Sequence, residues 1–137
     1  MTDRQIGKGT ILVVDDESIA RDLISGFLKK LGYEVAVARD GQEAIEVFDS
    51  LVPRPIIVVT DIVMPEQDGR SLAEELRRES PNLCVLFVSA YSSEKLSISE
   101  LTQPNNSFLA KPFSLRNFSA VIKKLAAVAE GTALEAS

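Results

Sequence analysis

Apolar residues along the 137-residue chain follow two alternating rhythms. Short β-branched runs alternate with longer stretches in which apolar positions recur every three to four residues, the pattern of strand–helix units on a parallel sheet. The runs predict five strands, at residues 10–14, 34–38, 56–60, 84–89 and 107–110. The first, third and fourth are continuously apolar, as strands covered on both faces must be. A first helix over 18–31 places Ile19, Leu23, Phe27 and Leu31 four apart on one face and stops at Gly32. A second starts at Asp40-Gly41, turns Ala44, Phe48 and Leu51 inward and ends before Pro53, and a third over 70–79 buries Leu72 and Leu76 before Ser80-Pro81. The fifth carries Leu115, Phe118, Ile122, Leu125 and Ala129 at helical spacing. The fourth, over 92–101, holds four serines against Leu96, Ile98 and Leu101, and serine is a mediocre helix former, so this element is expected to be short and mobile. The pattern as a whole predicts an α/β, doubly wound, three-layer sandwich.

Composition narrows the function. With 45% hydrophobic and 26% charged residues, seven glycines and six prolines, the chain reads as one ordinary globular core. The boundaries expected are an N-terminal extension at 1–9, one domain at 10–130, and a tail or cut linker at 131–137 that is small and polar enough to fray. The longest interior apolar run, residues 83–88, falls far short of the roughly 20 residues that cross a bilayer, and residues 1–9 lack the apolar stretch of a secretory signal. A cytoplasmic protein with no membrane partner is the expectation. Cys84, the single cysteine, sits in an apolar run and suits a buried thiol. Fifteen basic against twenty acidic residues give a net charge of −5 with no basic run to meet phosphates, so direct nucleic-acid binding is not expected. There is no histidine, which removes Ser-His-Asp and Cys-His catalysis and histidine-based zinc sites.

Carboxylate, lysine and hydroxyl chemistry remain, and they concentrate where an open parallel sheet forms its crevice, at the carboxyl ends of the strands. Asp15-Asp16 follow the first strand, Asp61 the third, Ser89 closes the fourth and Lys111 the fifth. Singly, each has an ordinary structural reading as a helix cap, a turn residue or a solvated charge. Jointly they point to a site, since capping needs neither a doubled acid after one strand nor a lysine after another. Three gathered carboxylates repel by about 3 kcal/mol per pair at roughly 5 Å and an effective dielectric near 20. Such a pocket calls for a cation, and an all-oxygen ligand set favours Mg²⁺. A lysine beside it completes a clamp for a phosphoryl group in transfer, with Asp61 available as the nucleophile of an acyl phosphate.

Four segments then carry a resemblance: Val13-Val14-Asp15-Asp16-Glu17, Thr60-Asp61-Ile62-Val63-Met64-Pro65 with Asp68-Gly69, Val88-Ser89-Ala90, and Phe108-Leu109-Ala110-Lys111-Pro112-Phe113. In order and spacing, over about residues 10–129, they resemble the receiver domain of two-component response regulators. The resemblance implies a flavodoxin-like (βα)5 fold with strand order 2-1-3-4-5. It implies a signalling domain rather than an enzyme acting on an outside substrate, one that catalyses its own phosphorylation on Asp61 and its own dephosphorylation. The donor would be a histidine kinase or a histidine phosphotransfer protein. By the same resemblance Asp16, Asp61 and the Val63 carbonyl bind Mg²⁺ directly, Asp15 acts through water, Lys111 pairs with the phosphoryl group, Ser89 hydrogen-bonds it, and Phe108 takes the place of the switch aromatic. The lack of histidine agrees with a donor on another chain or domain. The surface of the fourth helix, fifth strand and fifth helix, with Val121 and Val128, is the expected contact for an effector protein or for the chain's own output domain, a phosphorylation-dependent homodimer being one form of that contact.

Two segments depart from the pattern. Gln103-Pro104-Asn105-Asn106-Ser107 stands where the family commonly has a Gly-Ala pair, and Val63 and Tyr91, two positions after Asp61 and Ser89, offer no carboxamide or carboxylate to hold an attacking water. Slow dephosphorylation is the expectation. A magnesium-dependent phosphatase would want a second acid at position 63, a nucleotide binder would want a Gly/Ser/Thr-rich first loop rather than Asp15-Asp16-Glu17, and a purely structural module leaves the converging strand ends unexplained.

Overall fold

The structure, a computed structural model, describes residues 8–90 and 96–136. Ten elements alternate: β1 (Thr10–Val14), α1 (Ser18–Lys30), β2 (Glu34–Ala38), α2 (Gly41–Ser50), β3 (Ile57–Asp61), α3 (Gly69–Arg77), β4 (Cys84–Ser89), α4 (Ile98–Thr102), β5 (Asn106–Ala110) and α5 (Leu115–Ala136). All strand pairs are parallel, in the order β2-β1-β3-β4-β5. The order reverses at β1, so β1 and β3 lie side by side at the sheet's centre and their carboxyl ends open into one crevice.

The continuous apolar runs are explained by the pleat, which sends successive side chains to opposite faces. Ile11, Val13, Ile57, Val59, Leu86 and Val88 meet Ile24 and Leu28 of α1 and Phe118, Ile122 and Leu125 of α5. Leu12, Val14, Val58, Val85 and Phe87 meet Ala44 and Phe48 of α2, Leu72 and Leu76 of α3, and Leu96. Helix starts follow capping chemistry: the Asp40 carboxylate accepts from Glu43 N and that of Asp68 from Ser71 N, each at 2.8 Å. Gly32, at φ 99°, ends the turn after α1 in a conformation that a side chain would strain.

Three sequence expectations change. Of the stripe expected to face inward on α1, Ile19 is 83% and Leu23 50% exposed, and the buried pair is Ile24 and Leu28. Both series satisfy a helical period; the rotation that seats Ile24 and Leu28 on the sheet leaves Ile19 and Leu23 outside and puts Phe27 edge-on to Phe113. The last helix continues past Glu130 to Ala136, over most of the segment that the sequence reading set apart as a tail. The fourth helix is short as expected, but α4 spans only Ile98–Thr102; residues 91–95, and with them Tyr91 and the expected start at Ser92, lie outside the described residues, as do residues 1–7 of the expected N-terminal extension.

Candidate functional site

The crevice collects one side chain from nearly every central strand end. Asp15 follows β1 and is wholly buried, with every polar atom held: its N–H donates to Ala38 O, its carbonyl accepts from Arg21 Nη1 (2.7 Å), Oδ1 accepts from Glu17 N (2.9 Å) and Oδ2 from Lys111 Nζ (2.8 Å). Asp61 ends β3, where Oδ1 accepts from Val63 N (3.0 Å) and Oδ2 from Lys111 Nζ (2.9 Å). Asp16 is exposed at the mouth. Asp15, Asp16 and Asp61 each bring a carboxylate oxygen within 4.8 Å of the others.

Lys111 is the electrostatic centre of the cluster. Burial pulls its ammonium down, but the hydrogen bonds and charges of Asp15 and Asp61 more than offset this and its pKa stands above the ordinary lysine value. One ammonium therefore bridges two carboxylates but offsets only one of the three acidic charges, leaving the cluster with two excess negative charges. Its position follows from pairing: β5 runs beside β4 with Ser89 opposite Ala110, and Lys111 N donates to Ser89 O at 2.8 Å. Ser89 is fully buried. Phe108 lies opposite Phe87 and is half-buried against the core under α2 and α3. Val63 is 43% exposed, and its N–H donates to Asp61 Oδ1.

The donor set fits a hard divalent cation. An octahedral ion with oxygens at about 2.1 Å spreads neighbouring and opposite ligands roughly 3 to 4 Å apart, a spacing the three carboxylates meet with small adjustments. The sequence reading missed Arg21 as a support, and quoted Gly69 in a motif without giving it a role. Arg21 reaches back from α1 to the Asp15 carbonyl; its signal is its phase, one turn into a helix that starts just after the acids. Gly69 lies so close beneath β3 that a Cβ would collide with the Asp61 carbonyl oxygen, and its N–H donates to Ile62 O at 2.8 Å.

The sequence pattern of the response regulator receiver domain matches residues 11–123. The chain belongs to this family. This receiver domain is 37% identical over 119 residues to the sensor kinase CckA of Brucella abortus, covering 87% of this chain and 13% of CckA. It is 36% identical to the probable transcriptional regulator ycf27 of Cyanophora paradoxa, covering 88% of this chain and 49% of that protein. It thus spans half or less of the length of these relatives. Among solved structures, a CheY-like receiver domain protein from Methanospirillum hungatei superposes with a TM-score of 0.80 at 25% identity, covering 90% of this chain and 98% of that one. The response regulator TrrA of Thermotoga maritima, in complex with Mg²⁺ and BeF, superposes at 0.74 with 32% identity, over 85% of this chain and 98% of TrrA. The doubly wound fold and strand order expected of the family are those observed. Among the described residues no helix is long and apolar enough to cross a membrane.

Proposed function

We propose that this receiver domain takes a phosphoryl group onto Asp61 from a phosphohistidine of a histidine kinase or histidine phosphotransfer protein, and that the acyl phosphate resets the surface of α4, β5 and α5 for an effector or an output domain. The observation that carries the reading is Lys111 Nζ, shared between Asp15 and Asp61 at 2.8 and 2.9 Å beside the exposed Asp16. In the transfer, one carboxylate oxygen of Asp61 attacks phosphorus, the P–N bond breaks, and its electron pair returns to the donor imidazole. The Val63 N–H holds the Asp61 carboxylate in orientation. Lys111 exchanges its bond to Asp61 for one to the phosphoryl oxygens, and the Ser89 hydroxyl turns to bond the same group. Asp16, Asp61 and the Val63 carbonyl would hold Mg²⁺ directly and Asp15 through water, supplying positive charge to the phosphoryl oxygens. Withdrawal of Ser89 into the site frees space beside β4 into which Phe108 rotates.

The test is incubation with Mg²⁺ and a small acyl or amido phosphate. A hydroxylamine-labile adduct is expected on Asp61, absent in Asp61→Asn, and slower to form in Asp16→Asn with Mg²⁺ affinity reduced about tenfold or more. An adduct that survives Asp61→Asn, or Mg²⁺ titration unchanged by Asp16→Asn, refutes the assignment.

A further inference from the structure

The loop before β5, which departs from the family pattern, is where α3 grips α4. Arg77, the last residue of α3, is half-buried and ties the start of β4 to that loop: Nε and Nη2 donate to Leu83 O (3.0 and 2.9 Å), just before β4, and Nη2 also reaches Asn105 O (3.1 Å) and Asn106 Oδ1 (2.7 Å). Asn106 is buried, and its Nδ2 donates in turn to the Glu100 carbonyl of α4 (2.9 Å). A Gly-Ala pair has no side-chain amide to accept from Arg77 or to donate to the Glu100 carbonyl, as Asn106 does.

A second arm starts two turns earlier on the same face of α3. Arg70 Nε donates to Glu100 Oε2 at 2.9 Å, while Glu100 Oε1 accepts from Ser97 N (2.7 Å) and Ser97 Oγ from Glu100 N (3.1 Å), a capping box that forms the start of α4. Glu100 is therefore held at both its carboxylate and its carbonyl. Between the arms the helices enclose a cleft of about 180 Å³ lined by Ala73, Phe87 and Asn106. A helix of five residues is far below the length that is stable alone, so its position depends on such attachments. The attachment reaches the reaction centre in one step, because Gly69, next to Arg70, abuts the Asp61 carbonyl.

We propose that Arg70 and Arg77 act as a clamp that holds α4 in its resting position and so sets the fraction of molecules in the active conformation before phosphorylation. On this proposal the clamp engages the resting state and not the active one, so a change that opens it raises affinity for whatever binds the active state. This regulation rests on the phosphoacceptor reading. The experiment measures beryllofluoride affinity, with Mg²⁺, in wild type, Arg70→Gln, Glu100→Gln and the double variant. Glu100→Gln removes the charge while glutamine still completes the capping box. Each single variant is expected to bind about two- to fivefold more tightly, the span of a partly exposed ion pair, and the double variant no more tightly than either. Hydrogen exchange of the α4 amides in ligand-free protein provides a second readout, faster in both single variants. Unchanged or weakened beryllofluoride affinity in the single variants, strictly additive effects, or unchanged α4 exchange overturns the clamp. Failure of wild type to bind beryllofluoride at all refutes the phosphoacceptor reading instead, and the regulatory claim with it, while exchange still reports whether the arms hold α4.

Discussion

Single residues in the crevice act chiefly by what they exclude. Gly69 and Gly26 provide a paired test. A Cβ at Gly69 meets the Asp61 carbonyl and the Thr60 side chain, whereas one at Gly26, on the outer face of α1, meets nothing within 4 Å. Gly69→Ala should therefore destabilise by about 1–3 kcal/mol and Gly26→Ala should stabilise by about 0.5–1 kcal/mol, read from the two denaturant midpoints. Equal midpoints would remove the close approach as an explanation. Val63, exposed beside Asp61 and apolar, gives no hydrogen bond to a water attacking the acyl phosphate. Phospho-Asp61 is expected to persist, and Val63→Asn to shorten its lifetime; the check is decay after donor removal, and rapid wild-type decay or no acceleration counts against the idea.

At the level of elements, α1 and α4 expose different sides of the same problem. The exposed Ile19 and Leu23 line a hollow with Lys111, Pro112 and Phe113 that opens beside the acidic cluster. An apolar rim at the mouth of a phosphoacceptor suits a donor protein, so Ile19→Asp and Leu23→Asp should slow transfer from a phosphohistidine protein severalfold and leave phosphorylation by a small phosphodonor unchanged. Equal slowing with both donors would place the effect in the site itself. For α4 the relevant group is Glu100: burial opposes its ionisation, but bonds from Ser97 and Arg70 more than offset this and depress its pKa. A carboxylate depressed in the folded state contributes stability above its unfolded value, about 4.3, and loses it as pH falls through the folded pKa. Amide shifts of α4 should then titrate at lower pH than an ordinary glutamate would cause, and this step should disappear in Glu100→Gln.

For the molecule as a whole, on the proposed function a phosphoryl group adds roughly 1.5 to 2 negative charges at one end of the sheet, and the response is expected on its flank. Two charge-assisted hydrogen bonds, from Lys111 and Ser89, at about 1.5 to 3 kcal/mol each, approach the roughly 5.5 kcal/mol that moves an equilibrium from 1:99 to 99:1. Beryllofluoride should shift the amides of α4, Phe108 and the α5 face bearing Val121 and Val128 as well as those of the metal site; shifts confined to the metal site would sink the switch. What the chain determined by itself was local and ordinal. Alternating rhythms specified the five units, buried runs marked the central strands, and Asp15, Asp16, Asp61, Ser89 and Lys111 fell at strand ends because a parallel sheet sends every carboxyl end the same way. Relations across space were decided only by the tertiary structure. Lys111 finds Asp15 across 96 residues, and Arg77 finds Asn106 across 29. Ile24 and Leu28 rather than Ile19 and Leu23 face the sheet. The physical reason is that a helical period permits two neighbouring stripes and a charge permits many partners, and both choices are made by helix rotation and strand register, which exist only once the layers pack.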